Sequence, residues 1–136
     1  MMMYVTRREE FSASHRLHNP DWSEERNREV FDKCNNPHGH GHNYIVEVVV
    51  AGEIDPDTGY VVDLKQLKRV IREEVVERFD HKHLNYDCPE FAHLVPTAEN
   101  IARVIWDLLA EKIPAGKLHC VRLYETERNI VEYRGA

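Results

Sequence analysis

HGHNYIVEVVVAGEIDPDTGYVVD, residues 40–63, holds the change of hydrophobic pattern that decides the architecture. The segment from about 40 to 53 reads as a β-strand. Its end, GEIDPDTGYVVD, places Asp-Pro and Thr-Gly turn chemistry between two apolar runs, which predicts a hairpin returning for a few residues. Upstream, YVTRREEFSASHR at 4–16 contains alternating segments and reads as a long strand, followed by a charged, helix-tolerant insertion around 23–31 read as an irregular excursion. The first sheet is therefore antiparallel. Downstream, Asp63 with Gln66 resembles a capping box, and Leu64, Leu67, Ile71, Val75 and Phe79 recur near helical spacing up to FDHKHLN. Pro96 and Thr97 open a second helix with an inner face of Ile101, Val104, Ile105, Leu108 and Leu109, closed by Pro114 and Gly116. LHCVRLYE and NIVEYR form a last hairpin around Thr126 to Arg128. The order is β-β-α-α-β-β, an α+β arrangement of a four-stranded antiparallel sheet with two helices on one face.

The bulk properties bound the function. A chain of 136 residues suits one domain, 1–136, able to bury a core without disulfides. Its formal net charge of −6 argues against a general nucleic-acid binder, which carries a basic face. The longest apolar run, IVEVVVAG, is short and contains Glu47, so no membrane span is expected and the chain reads as cytoplasmic. Cys34, Cys88 and Cys120 are odd in number and widely spaced, as reduced thiols are.

In CNNPHGHGHNY, residues 34–44, His38, His40 and His42 stand two apart beside Cys34. Residues two apart on a strand share a face about 6.5–7 Å from each other, close enough for His40 and His42 to lean onto one ion. His38 would lie about 13 Å from His42. Unless Pro37 and Gly39 bend the chain sharply, a third ligand must come from elsewhere, and His15, ending the alternating FSASH run, is the best candidate. Three histidines with an open fourth position suit a catalytic zinc, whereas closure by Cys34 would suit a structural one. The histidine pair alone does not choose between them. Asp80 and His81 end the first helix, where a C-terminal cap with solvated charge is the favoured reading of that stretch taken alone. Glu125 ends the strand VRLYE, where its carboxylate could accept two parallel hydrogen bonds from the N–C–N edge of a guanine or pterin, or form an edge-strand salt bridge.

Taken in order, FSASHRL, KCNNPHGHGHNY, GEIDPDTGYVVDL, FDHKHLN, PTAENIA and LYET resemble the 6-pyruvoyl-tetrahydropterin synthase family over nearly the whole chain. The resemblance implies the tunnelling fold (T-fold), with subunit sheets joined into a trimeric barrel and two trimers stacked as a homohexamer. It implies one Zn2+ per subunit on His15, His40 and His42, with Mg2+ admissible as a further ion. The implied substrate is 7,8-dihydroneopterin triphosphate, from which triphosphate is eliminated while the side chain undergoes redox isomerisation. Cys34 matches the family's base, Asp80 and His81 its proton-relaying pair across a subunit boundary, and Glu125 its pterin anchor. Thr97 and Glu99 fall where further pterin contacts lie, although a helix start also favours both. A thiol with a pKa near 8.5 needs a nearby cation or histidine to ionise, and His81 could supply it. Arg7, Arg8 and Arg16 are available cations for a triphosphate, with no assignment among them. Two other functions stay open. One is 6-carboxy-5,6,7,8-tetrahydropterin synthase, which takes the same substrate but releases acetaldehyde; the Cys-x5-His-Gly-His spacing here is the longer, pyruvoyl-forming type. The other is a non-catalytic, zinc-stabilised pterin-binding oligomer.

Overall fold

The computed structural model describes residues 1–136. Strand β1 (Met2–His15) pairs antiparallel with β2 (His40–Glu53) along its whole length, Met2 facing Glu53 and His15 facing His40. Between them, helix α1 (Glu24–Phe31) occupies the stretch expected to be irregular. Ser23 caps it by accepting from the Arg26 N–H, and acidic Glu24 and Glu25 fill its first turn. Its polar residues lie all around, so no apolar period announces it. Buried Asn27 fastens it to the preceding loop through hydrogen bonds to and from Asn19.

The return strand expected after the Asp-Pro turn does not form. The loop closes on itself through Asp55 N–H to Tyr60 O at 3.1 Å and Gly59 N–H to Asp55 O at 2.7 Å, while Val61 and Val62 enter the core without joining a ladder. Helix α2 (Leu64–Ile71) starts at Asp63, whose carboxylate accepts from the Lys65 N–H at 2.8 Å; Gln66 makes no reciprocal bond, so the cap is single. A π-helical turn over Arg72–Val76 then leads into α3 (Glu77–Phe79). The wider turn buries both Val75 and Val76, neighbours that a continuous α-helix would turn apart.

After α3 the chain turns through His81 at φ +61°, and its N–H donates to Ser12 O at 2.6 Å. This lays β3 (Lys82–His83) parallel to the end of β1. Next come α4 (Leu84–Asp87), α5 (Ala98–Leu109), β4 (Lys117–Tyr124) and β5 (Ile130–Tyr133). The sheet therefore has five strands in the order β3-β1-β2-β4-β5 and is mixed, correcting the expectation of four antiparallel strands. Two residues are too few to show a strand period, which is why β3 is silent in the sequence.

Helices do cover one face. Tyr44, Val46, Val48 and Val50 of β2, with Val121 and Leu123 of β4, pack beneath Leu67, Ile71, Val75, Ile101 and Ile105 in a core of 23 buried residues. The opposite face carries no helix. There Glu47, 7% exposed, accepts from Arg8 at 2.6 Å, Arg122 at 2.8 Å and the Tyr124 hydroxyl at 3.1 Å. These partners hold its carboxyl below the usual range against the upward push of burial. No helix is long and apolar enough to cross a membrane.

Candidate metal centre and adjoining site

The β1–β2 register places His15 opposite His40 and Ala13 opposite His42, so the last side chain of one strand meets two from the first turn of the pleat on the other. The three imidazoles converge, with ligand atoms all within 4.8 Å of one another. Ring centroids are 4.6, 5.1 and 4.8 Å apart for the His15–His40, His15–His42 and His40–His42 pairs. His38 is exposed and Cys34 is outside the cluster.

The hydrogen bonding fits a cation. His15 Nδ1 lies 2.7 Å from the Pro96 carbonyl, which can only accept, so the proton sits on Nδ1 and Nε2 keeps its lone pair. That Nε2 faces His40 Nε2 at 3.1 Å, and His42 Nε2 is buried without any partner. A bound cation would satisfy these nitrogens together. Burial also keeps His15 neutral, lowering its pKa to about 4, and lowers that of His42. Neutral imidazole is the form that binds metal. Beneath the cluster, Tyr44 places its hydroxyl 3.3 Å from His15 Nδ1.

The other expected residues gather around this centre to different degrees. Glu125 follows β4, its N–H donating to Asn129 O at 3.0 Å across the hairpin turn. Its carboxylate belongs to none of the chain's ion pairs, which removes the edge-strand salt bridge as its explanation. Glu125 and His42 instead line one cavity of about 670 Å3. Cys34 is half-buried on a 3₁₀ turn over Asp32–Asn35. Burial first, then the charges of Glu125 and Asp32, raise its thiol pKa. The expected help from His81 is missing within one chain: the charges that act on the thiol are negative.

Asp80 and His81 form a fixed pair. Asp80 accepts from the Ser12 N–H at 2.8 Å and from His81 Nδ1 at 2.8 Å, and the first of these bonds is the main cause of its lowered pKa. The His81 side chain is 83% exposed on a left-handed backbone just past the end of α3, and its N–H donates to Ser12 O and not back into the helix. Thr97 caps α5 by accepting from the Asn100 N–H at 3.2 Å, and Glu99 is exposed in the first turn. Of the arginines, Arg7 pairs with Glu9, Arg8 with Glu47, and Arg16 with no acid.

Three participants escape sequence reasoning. The Pro96 carbonyl is main chain and leaves no residue signal. Tyr44 continues the period of His40 and His42, and that alternation could have found it. His83 stands with both ring nitrogens buried and unpartnered, its Nε2 2.7 Å from where a Cβ on Gly39 would lie.

Three converging imidazoles at the end of the β1–β2 pair, positioned to hold a metal, with an unpaired carboxylate sharing a cavity with one of them, define an α+β protein with a candidate metal centre beside a small-molecule cavity. A model of the 6-pyruvoyl tetrahydropterin synthase family matches residues 4–136, and the chain belongs to that family. The 6-pyruvoyl tetrahydrobiopterin synthases of Poecilia reticulata and Homo sapiens are each 53% identical, covering 97% and 96% of this chain and 90% of each relative. The structure of the Caenorhabditis elegans 6-pyruvoyl tetrahydropterin synthase matches with a TM-score of 0.95 at 39% identity, covering 100% of this chain and 97% of that one.

Proposed function

We propose that the chain is a zinc-dependent 6-pyruvoyl-tetrahydropterin synthase, eliminating triphosphate from 7,8-dihydroneopterin triphosphate with redox isomerisation of the side chain. The observation that carries this reading is the cavity of about 670 Å3 shared by His42 of the triad and the unpaired Glu125. Its size suits a whole small ligand. His15, His40 and His42 hold the metal, and zinc bound there supplies Lewis acidity toward the substrate's side-chain hydroxyls. Glu125 accepts the paired N–H donors of the pterin edge and sets the ring's direction. Cys34 removes a proton from the side-chain carbon, so its thiol must first ionise. Asp80 holds the Nδ1 proton of His81, leaving Nε2 to relay protons. Thr97 and Glu99 add pterin contacts, which is supported by the Pro96 carbonyl bringing the start of α5 against His15.

The active assembly is a trimeric T-fold barrel, two of which stack as a hexamer. Two features support it. β3 pairs with β1 only at Ala13 and Ser14, leaving the outer edge of the rest of β1 open, and β5 forms the other edge of the sheet. Such edges are satisfied by pairing between copies. The outward His81 and the acidic surroundings of Cys34 also complement each other across a subunit boundary, where the partner subunit's His81 would favour the thiolate.

Incubating zinc-loaded protein with 7,8-dihydroneopterin triphosphate and weighing the products tests the reading. 6-Pyruvoyl-tetrahydropterin with free triphosphate is the expected result. Acetaldehyde with a carboxy-pterin would assign the 6-carboxy-5,6,7,8-tetrahydropterin synthase reaction instead, and bound but unchanged substrate would assign a carrier.

A further inference from the structure

A second, smaller cavity of about 220 Å3 lies against the 3₁₀ turn that carries Cys34, lined in part by Arg16, Arg28 and Lys33. That volume is below the roughly 300–1,000 Å3 of sites that enclose a whole ligand, so it suits one portion of a molecule. None of the three cations is in an ion pair, although Glu24 and Asp32 line the same cavity. Three cations less two carboxylates leave one net positive charge. Attraction there rests on directed hydrogen bonds more than on bulk field.

Arg16 is built to direct them. Asn85 grips its backbone from both sides, accepting from its N–H and donating to its carbonyl, each at 2.8 Å. Its Nε donates to Asn35 O at 3.0 Å, which leaves both terminal guanidinium nitrogens without a protein partner. A guanidinium anchored in this way presents a planar fork suited to phosphate oxygens. Lys33 is aimed by a different device. Asp32, joining α1 to the 3₁₀ turn, holds φ 51° and ψ −124°, a conformation costly for any residue with a side chain. This bend sets the angle between Arg28 on α1 and Lys33 on the turn.

The cavity is also continuous in structure with the proposed reaction centre. Arg16 follows His15 directly, the Leu17 N–H donates to Cys34 O at 2.8 Å, and Cys34 lies between Lys33 and Asn35. The metal ligand, the base and the cations therefore share one stitched unit. We propose that Arg16, Lys33 and Arg28 form the subsite for the substrate's triphosphate, a proposal that rests on the function proposed above. A side chain whose hydroxyls reach the histidines carries its phosphate chain at the far end, beside this unit.

Inorganic tripolyphosphate is the probe, titrated calorimetrically into zinc-loaded protein, with zinc content measured afterwards and neopterin binding as the control for the pterin pocket. Arg16→Gln and Lys33→Gln are each expected to weaken tripolyphosphate binding and raise KM about 10- to 100-fold, the scale of one charge-assisted hydrogen bond. Neopterin affinity and zinc should stay unchanged. Arg16→Lys should recover only part of the loss, because an ammonium lacks the fork. Should Arg16→Gln fold poorly, the Arg28→Gln/Lys33→Gln double variant, altering two exposed residues, carries the test with the same expected loss. Active variants with wild-type KM and wild-type tripolyphosphate affinity would overturn the subsite and leave the reaction standing. Wild-type protein without turnover, whose tripolyphosphate binding still depends on Arg16 and Lys33, would remove the reaction and keep an anion site.

Discussion

Replacing Gly39 with alanine should damage both stability and metal binding, and the chain supplies its own control. Gly39 enters β2 at φ +76°, where an added Cβ would lie 2.7 Å from His83 Nε2 and 2.9 Å from His15 O. Gly59 has a matching φ of +80°, yet a Cβ there meets nothing within 4 Å. Gly59→Ala therefore measures the backbone cost alone, about 1–2 kcal/mol for a left-handed residue. Gly39→Ala adds a collision. His83 is packed against Tyr86 at 4.4 Å between ring centroids, and the His15 carbonyl is main chain at the end of the β1–β2 ladder, so neither yields freely. Overpacking of this kind costs about 1–3 kcal/mol more, giving about 2–5 kcal/mol in total. One of the two colliding atoms, the His15 carbonyl, belongs to the ladder pair that carries two candidate metal ligands, so zinc affinity should fall about 10- to 100-fold, as for a lost supporting contact. Urea unfolding of metal-free protein at constant m-value gives the first quantity, and competition with a chromophoric chelator gives the second. Equal destabilisation in the two variants, with wild-type zinc affinity in Gly39→Ala, would refute the reasoning.

His42→Ala should abolish stoichiometric zinc, since two imidazoles remain; full occupancy by metal analysis would remove His42 from the centre. Cys34→Ala should keep its zinc and still bind pterin while losing turnover by a factor of about 10² to 10⁴, the usual contribution of a positioned base. Parallel loss of zinc would make Cys34 a ligand instead. Metal-free protein should lose stability as the pH falls from 6.5 towards 4, because the unfolded chain binds a proton at His15 that the folded chain refuses until about pH 4. The stabilisation is fully present above pH 6.5, amounts to about 3 kcal/mol, and is read from unfolding midpoints across that window; a flat profile contradicts it. Sedimentation should find trimers or hexamers, and a fully active monomer at low concentration would sink the shared site.

The period-2 alternation of β2 put His40 and His42 on one face, and the reach of a strand required a third ligand from elsewhere. These are local facts, carried by bond lengths and side-chain direction, so the sequence by itself determined them. The two amphipathic helices and the closing hairpin were legible for the same reason. The partner of the pair was not. The 24 residues between His15 and His40 form no tight turn, so nothing local dictates the register; burial of Phe11, Ala13 and Tyr44 selects it, since a slip of one residue would turn them outward. Tertiary structure alone likewise laid β3 beside β1, where two residues hold no period, and left Glu125 unpaired when its sequence context also permitted a salt bridge. It decided the sign at Cys34 as well. A thiol's identity is written in the chain, but its pKa follows from the burial and from the Glu125 and Asp32 charges that folding brings near. Electrostatic energy depends on distance and solvent, and only the folded chain defines either.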